Sequence, residues 1–174
     1  MAVITSAGTG DSNTGGTWTG GVVPDATSDV QILNTHTVTL NTTHTWNSLD
    51  LQSGGTLDGD GNELTIDGED GGGYAVDLDG AISGTDTDIT ITTAAYTYAN
   101  LRPSSGNIRN LTINHASAVV RFTGASGTTT TLSGDLTVTL GIFEADDGNE
   151  NLTVTGDVLV SNGGTLGATA LDDT

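Results

Sequence analysis

The chain has 174 residues, 34% of them hydrophobic and only 4% aromatic, with 26 glycines, no cysteine and a formal charge of −19 from 22 acidic against 3 basic residues. That is chain enough for one domain or two small ones. Its bases, Arg102, Arg109 and Arg121, offer no basic patch to a phosphate backbone or an anionic membrane, so nucleic acid is set aside as a partner.

Without cysteine there are no disulfides, thiol nucleophiles or cysteine zinc sites. No apolar run approaches the ~20 residues that span a bilayer, so no membrane partner is expected. The acids are mostly aspartate and lysine is absent. At low salt such a surface repels itself. At molar salt the Debye length is only ~3 Å, the repulsion vanishes, and hydrated carboxylates keep the surface solvated. The composition resembles that of haloarchaeal proteins, which implies a salt-loving host or its virus; an acidic bacterial or phage surface protein is the alternative.

In chain order, Met1 to Gly10 has neither a basic n-region nor an apolar stretch of about 7–15 residues, so no secretory signal is expected there. The Gly, Thr, Asn and Asp-rich remainder nonetheless suits an exposed surface. A virion component, assembled inside the host and exposed later, satisfies both. Next comes Asn13-Thr-Gly-Gly-Thr-Trp18-Thr-Gly-Gly-Val-Val-Pro24, followed by Asp29-Val-Gln-Ile32 and His36-Thr-Val-Thr-Leu40. This stretch resembles the opening of right-handed β-helix surface proteins and tailed-phage structural proteins, and is similar to the start of the G8 domain. The resemblance implies a cap over the first turn, carried by Trp18, Val22 and Pro24. An open solenoid end exposes apolar side chains and unpaired strand edges, so a plug there is also physically required.

From Val30 onward apolar and polar residues alternate in short runs: Val30–Ile32, Val38–Leu40, Leu49–Leu51, Leu64–Ile66, Val76–Leu78, Ile89–Ile91, Leu111–Ile113, Leu136–Val138 and Leu152–Val154. Each predicts a strand with one buried face, and nothing shows helical spacing. The runs also repeat. Asn47-Ser-Leu-Asp-Leu-Gln-Ser-Gly-Gly-Thr-Leu57 returns in altered form from Gly134 to Phe143 and again as Val158-Leu-Val-Ser-Asn-Gly-Gly-Thr-Leu166, and the Gly134-Asp135 step recurs 22 residues later at Gly156-Asp157. A turn of about 22 residues with glycine corners predicts an all-β fold, a short right-handed parallel β-solenoid. Residues 1–40 would form the cap and first strands, and 41–174 the continuous body. An antiparallel β-sandwich is the alternative. The period is uneven over Gly71–Asp88 and Tyr96–Ser105, which predicts insertions.

Four groups of residues suggest chemistry. Asp58, Asp60, Asn62 and Glu69 have the spacing of calcium-loop ligands, although Glu63 stands where such loops need glycine; calcium is the only cofactor considered. Asp67-Gly-Glu69-Asp70 and Asp146-Asp147-Gly-Asn149 are similar acidic corners, and solenoid turns need Asn, Asp and Gly without any ion. Asp77 and Asp79 would point outward about 7 Å apart, within the range of glycosidase pairs. Polysaccharide-cleaving β-helix enzymes resemble this scaffold, but no accompanying Arg/Lys motif is present and a short solenoid leaves little groove, so no catalysis is expected. Pairs such as Thr37/Thr39, Thr90/Thr92, Thr137/Thr139 and Thr153/Thr155 resemble the arrays of ice-binding solenoids, but the intervening turns carry Asp or Gln. His36, His44 and His115 show no metal spacing.

The C-terminal Gly167–Thr174 has no comparable cap, which predicts that another subunit or a larger assembly covers that end. These features together predict a virion structural protein on the particle exterior: a capsid decoration or turret protein of a tailed virus, a haloarchaeal one where the composition is read as halophilic. It would bind capsid or other virion proteins and itself, with a trimer preferred. The alternative is an extracellular cell-surface or tail-fibre adhesin, with Tyr96 and Tyr98 stacking on host glycan.

Overall fold

Strict alternation forces each run into a strand with one buried face. The structure, a computed structural model, describes residues 1–83, 87–123, 129–145 and 151–168. The strands wind into a parallel β-solenoid of about 7 turns with a spacing of about 23 residues, and no α-helix occurs among the described residues. Every pairing between described strands is parallel, which excludes the antiparallel sandwich. No described helix is long and apolar enough to cross a membrane.

Each full turn visits three faces. The first stacks Ala2–Thr5, Ser28–Ile32, Ser48–Leu51, Tyr74–Leu78 and Tyr96–Asn100, and continues through the second half of Asn110–Thr123, the end of Leu136–Ala145, and Gly164–Ala168. The second stacks Gly10–Asp11, Thr37–Thr39, Thr56–Asp58 and Ala81–Ser83; further along the chain Thr129–Leu132 and Asn151–Val154 pair in the same sense. The third stacks His44–Trp46, Glu63–Ile66 and Asp88–Ile91, then the starts of Asn110–Thr123 and Leu136–Ala145, and last Val158–Val160.

Parallel register places like on like. On the third face Trp46, Ile66, Ile91, Ile113 and Val138 form one inward column and are fully buried. Val30, Leu49, Val76, Ala99 and Phe122 do the same on the first face. With about 4.8 Å between neighbouring strands, an aliphatic side chain fills its rung and touches the rungs on either side. A narrow core of this kind has room for few aromatics.

The first turn has no strand on the third face. Two 3-10 turns, Gly15–Thr17 and Thr19–Gly21, stand in its place with Trp18 between them. Trp18 is buried; its indole N–H donates to the Ser12 carbonyl at 2.8 Å, and its ring meets Trp46 edge-on with centroids 6.0 Å apart. Pro24 is buried as well, whereas Val22 is 56% exposed. It follows Gly20 and Gly21, whose positive φ turns the chain outward before it.

Side chains at the corners tie consecutive turns together. The buried Asn47 donates to Asp29 Oδ1 at 2.5 Å in one neighbouring turn and to the Glu69 carbonyl at 2.7 Å in the other. Farther along, Asn110 Oδ1 accepts from the Asp135 N–H, and Asp135 Oδ1 accepts from the Asp157 N–H, both at 2.8 Å. The acid- and amide-rich corners are thus occupied in holding the turns in register.

Candidate ligand-binding face

The outward side of the first face carries the chain's tyrosines. In Tyr96–Asn100 the inward positions are Thr97 and Ala99, both fully buried, so Tyr96 and Tyr98 must point out. Register then sets Tyr98 beside Tyr74 in the preceding turn and beside Arg121 in the following one. The Tyr74 and Tyr98 rings lie 5.5 Å apart at 40°, and Tyr96 stands edge-on to Tyr98 at 5.7 Å. The Arg121 guanidinium sits 5.1 Å from the centre of the Tyr96 ring and bonds Glu144 Oε1 at 2.9 Å. Tyr96 remains 44% exposed, so the cluster presents an aromatic surface to solvent rather than filling a core.

Beside the tyrosines runs a polar column of Gln31, Asp50, Asp77 and Asn100, one residue per turn. Gln31 Nε2 donates to Asp50 Oδ2 at 3.1 Å, and the amide of Asn100 donates to Asp77 Oδ1 at 2.7 Å while reaching Asp79 Oδ1 at 3.3 Å. One amide thus holds both carboxylates of the expected pair. Burial pushes the Asp77 carboxyl above its ordinary range, with Asp79 and Asp70 adding repulsion; Asp50 is raised by burial first and then by Asp77. A carboxyl raised on folding contributes stability that is present below its unfolded value of 3.8 and lost as pH rises through its folded value. Asp77→Asn is therefore expected to raise the melting temperature by a few degrees at neutral pH and to leave it unchanged at about pH 3. An equal shift at both pH values would show that charge burial is not the cause.

The calcium set is not assembled. Glu63–Ile66 runs between Asn62 and Glu69 and carries the chain roughly 13 Å onward. The amide of Asn62 is committed to the carbonyls of Leu40 and Asp60, and Glu69 lines a hollow near Met1, Val3 and Asp29. No group of three or more His, Asp or Glu able to hold a metal exists among the described residues. The corner at Asp146, Asp147 and Asn149 lies outside the described residues, as do residues 169–174 of the expected uncapped end. The histidines do not meet either. His36 and His44 bond Ser6 and Ser12, each in the first turn, and His115 Nδ1 accepts the Ser117 N–H.

The threonine pairs divide between faces: Thr37 and Thr39 lie on the second, Thr90 and Thr137 on the third, and Thr153 on the separate strand pair of Thr129–Leu132 and Asn151–Val154. A ladder does exist, but through other partners, since Thr45, Thr65, Thr90, Thr112 and Thr137 align in successive turns until Leu159 interrupts them. It borders a groove of about 250 Å³ edged by Glu63, Asp88, Asn110 and Asp135, with Asp88 held by Arg109 at 2.6 Å. Among the described residues, no aromatic ring lines this groove. Sequence reasoning missed Tyr74, Asn100 and Arg121 as companions of Tyr96 and Tyr98. For Tyr74 and Arg121 a spacing of one turn from Tyr98 was the available signal, and for Asn100 its place two residues after Tyr98 on the same strand.

Compared with known proteins, the chain matches no family model, no curated protein and no solved structure.

Proposed function

We propose that this chain is a non-enzymatic surface module that binds host glycan through Tyr74, Tyr96 and Tyr98. The observation that supports it is the solvent-facing tyrosine cluster, built on a rigid face and flanked by amides and carboxylates. Rings presented this way offer flat apolar area to the C–H face of a sugar at little conformational cost, and the polar neighbours satisfy its hydroxyls. The module belongs on the exterior of a tailed virus or on a cell surface, as a decoration, turret or fibre component. The turn that carries Val158, Leu159, Val160 and Leu166, each at least 41% exposed, is the part that docks on the rest of the particle or on sister subunits.

On an immobilised panel of host glycans, the purified chain is expected to show saturable binding. Tyr96→Ala should weaken it about 10-fold, equivalent to about 1.4 kcal/mol, with the protein still folded, since Tyr96 is 44% exposed and its contacts are the edge of Tyr98 and the Arg121 guanidinium. No binding anywhere on the panel, or equal binding by the variant, overturns the proposal.

A further inference from the structure

We infer that the ligand of this face is an uncharged, linear polysaccharide lying along the solenoid axis, its sugar rings on Tyr74, Tyr96 and Tyr98 and its hydroxyls on the column of Gln31, Asp50, Asp77 and Asn100. This rests on the glycan-binding reading above and names the ligand class for the same face.

Direction follows from register. Tyr74 and Tyr98 are neighbours across a turn, and so are Asp50 and Asp77, and Asp77 and Asn100. The Tyr74–Tyr98 pair and the polar column therefore both extend along the stacking axis, side by side, with a repeat of about 4.8 Å, while Tyr96, two residues from Tyr98 on the same strand, widens that one rung. A ligand that uses both must be elongated in that direction. A single sugar covers one rung only.

Charge decides the class. The polar column supplies carboxylate acceptors at Asp50 and Asp77 and one further amide N–H at Gln31, while the buried Asn100 amide, spent on Asp77 and Asp79, holds those carboxylates in place. A carboxylate has about four acceptor sites, more than the amide bonds on Asp50 and Asp77 use, so sugar hydroxyls have somewhere to donate. A uronate, sialylated or sulfated chain would instead set its anions against Asp50, Asp77 and Asp79, on a protein of net charge −19. Arg121, the cation nearest the tyrosines, is already held by Glu144 at 2.9 Å. A basic polysaccharide would be drawn to the same carboxylates, but only where salt does not screen them. The rings contribute nothing to that attraction, whereas an uncharged chain depends on them.

The test uses the whole chain in affinity electrophoresis through gels that contain uncharged glucans, mannans or galactans, polygalacturonate, or chitosan, at about 0.1 M and about 1 M salt. Retardation by at least one uncharged polymer is expected, changing less than about 2-fold between the two salts. It should fall about 10-fold in Tyr98→Ala and in Asn100→Ala, while polygalacturonate causes none. Because Tyr98 packs on Tyr74, the exposed Tyr96→Ala is run alongside, and melting curves confirm that all variants fold. Retardation by polygalacturonate, or by chitosan alone and abolished by salt, overturns the inference; the glycan reading survives if Tyr96→Ala still removes that binding. No retardation by any polymer also overturns it, and the glycan panel then decides the wider reading by itself.

Discussion

Replacing Trp46 by alanine is expected to cost about 3–5 kcal/mol, against about 5–15 kcal/mol for the whole stability of a typical domain. Trp46 begins the inward column of the third face, fully buried, with Ile66 on one side and the edge of Trp18 on the other. Its loss opens a cavity beneath the cap that the flanking hydrogen-bonded strand cannot collapse to fill. A milder substitution separates packing from hydrogen bonding. The indole N–H of Trp46 is buried with no acceptor among the described residues, whereas that of Trp18 donates to the Ser12 carbonyl at 2.8 Å. Trp46→Phe removes a donor that has no partner, so part of the packing loss is offset; Trp18→Phe leaves a carbonyl without its donor, which adds about 1–3 kcal/mol. Denaturant unfolding should therefore rank Trp46→Phe as the mildest of the three. If it costs as much as Trp46→Ala, the indole has a partner and the account of the cap is wrong.

The architecture was legible because its inward residues are Val, Ile and Leu in strict alternation. Leu64–Ile66, Ile89–Ile91 and Leu111–Ile113 announce themselves, and they stack on one another as strands of one face. Tyr96–Asn100 did not, because its inward residues are Thr97 and Ala99, and a strand that buries a hydroxyl and a methyl looks like an insertion. The repeated phrase conveyed less than it promised. Leu49–Leu51 lies on the first face and Leu57 on the second, while the similar Leu136–Val138 lies on the third and Phe143 on the first. A strand, a glycine corner and another strand serve any corner of a three-faced turn, so the phrase marks corners without saying which. The advance from Gly134 to Gly156 does keep phase, since Leu136 pairs with Val158.

The site suffered more from the same ambiguity. Which side chains share a column depends on the length of every intervening turn, and these lengths vary. A slip of one residue turns a side chain to the opposite side of its strand. Hence the threonines that align are Thr45, Thr65, Thr90, Thr112 and Thr137, one from each run, so that only Thr90 and Thr137 come from the adjacent pairs visible in the sequence. Tyr74 and Arg121 were hidden for the same reason, each one turn away from the tyrosines that were noticed. The calcium spacing misled in the opposite way. Ligand spacing assumes a loop, and here Glu63–Ile66 is an extended strand that separates the acids it would need to gather.

The second large effect is expected at Gly106, where alanine should break the solenoid into two parts. Gly106 has φ +78, a conformation that costs an L side chain about 1–2 kcal/mol, and a Cβ there would overlap the carbonyl oxygen of Ile82 in the turn below. Neither group can retreat. The Ser104 N–H donates to the Gly80 carbonyl at 2.6 Å and the Ile82 N–H to the Ser105 carbonyl at 2.8 Å, so both backbones are pinned at the spacing the whole stack shares. In a stack where each turn touches only its neighbours, stability is a sum of turn and interface contributions, and one weakened interface uncouples the blocks on either side. The block before Gly106 keeps the cap, with Trp18 on Trp46 and the corner bonds of Asn47. The block after it includes the strands where Val158, Leu159 and Val160 are already exposed. Gly106→Ala is therefore expected to replace one unfolding transition by two, the later part of the chain melting first and the tyrosine pair Tyr74–Tyr98 outlasting it. Amide hydrogen exchange reads the two blocks separately. A single cooperative transition at nearly the original temperature would mean that the turn around Gly106 is freer to rearrange than its hydrogen bonds imply.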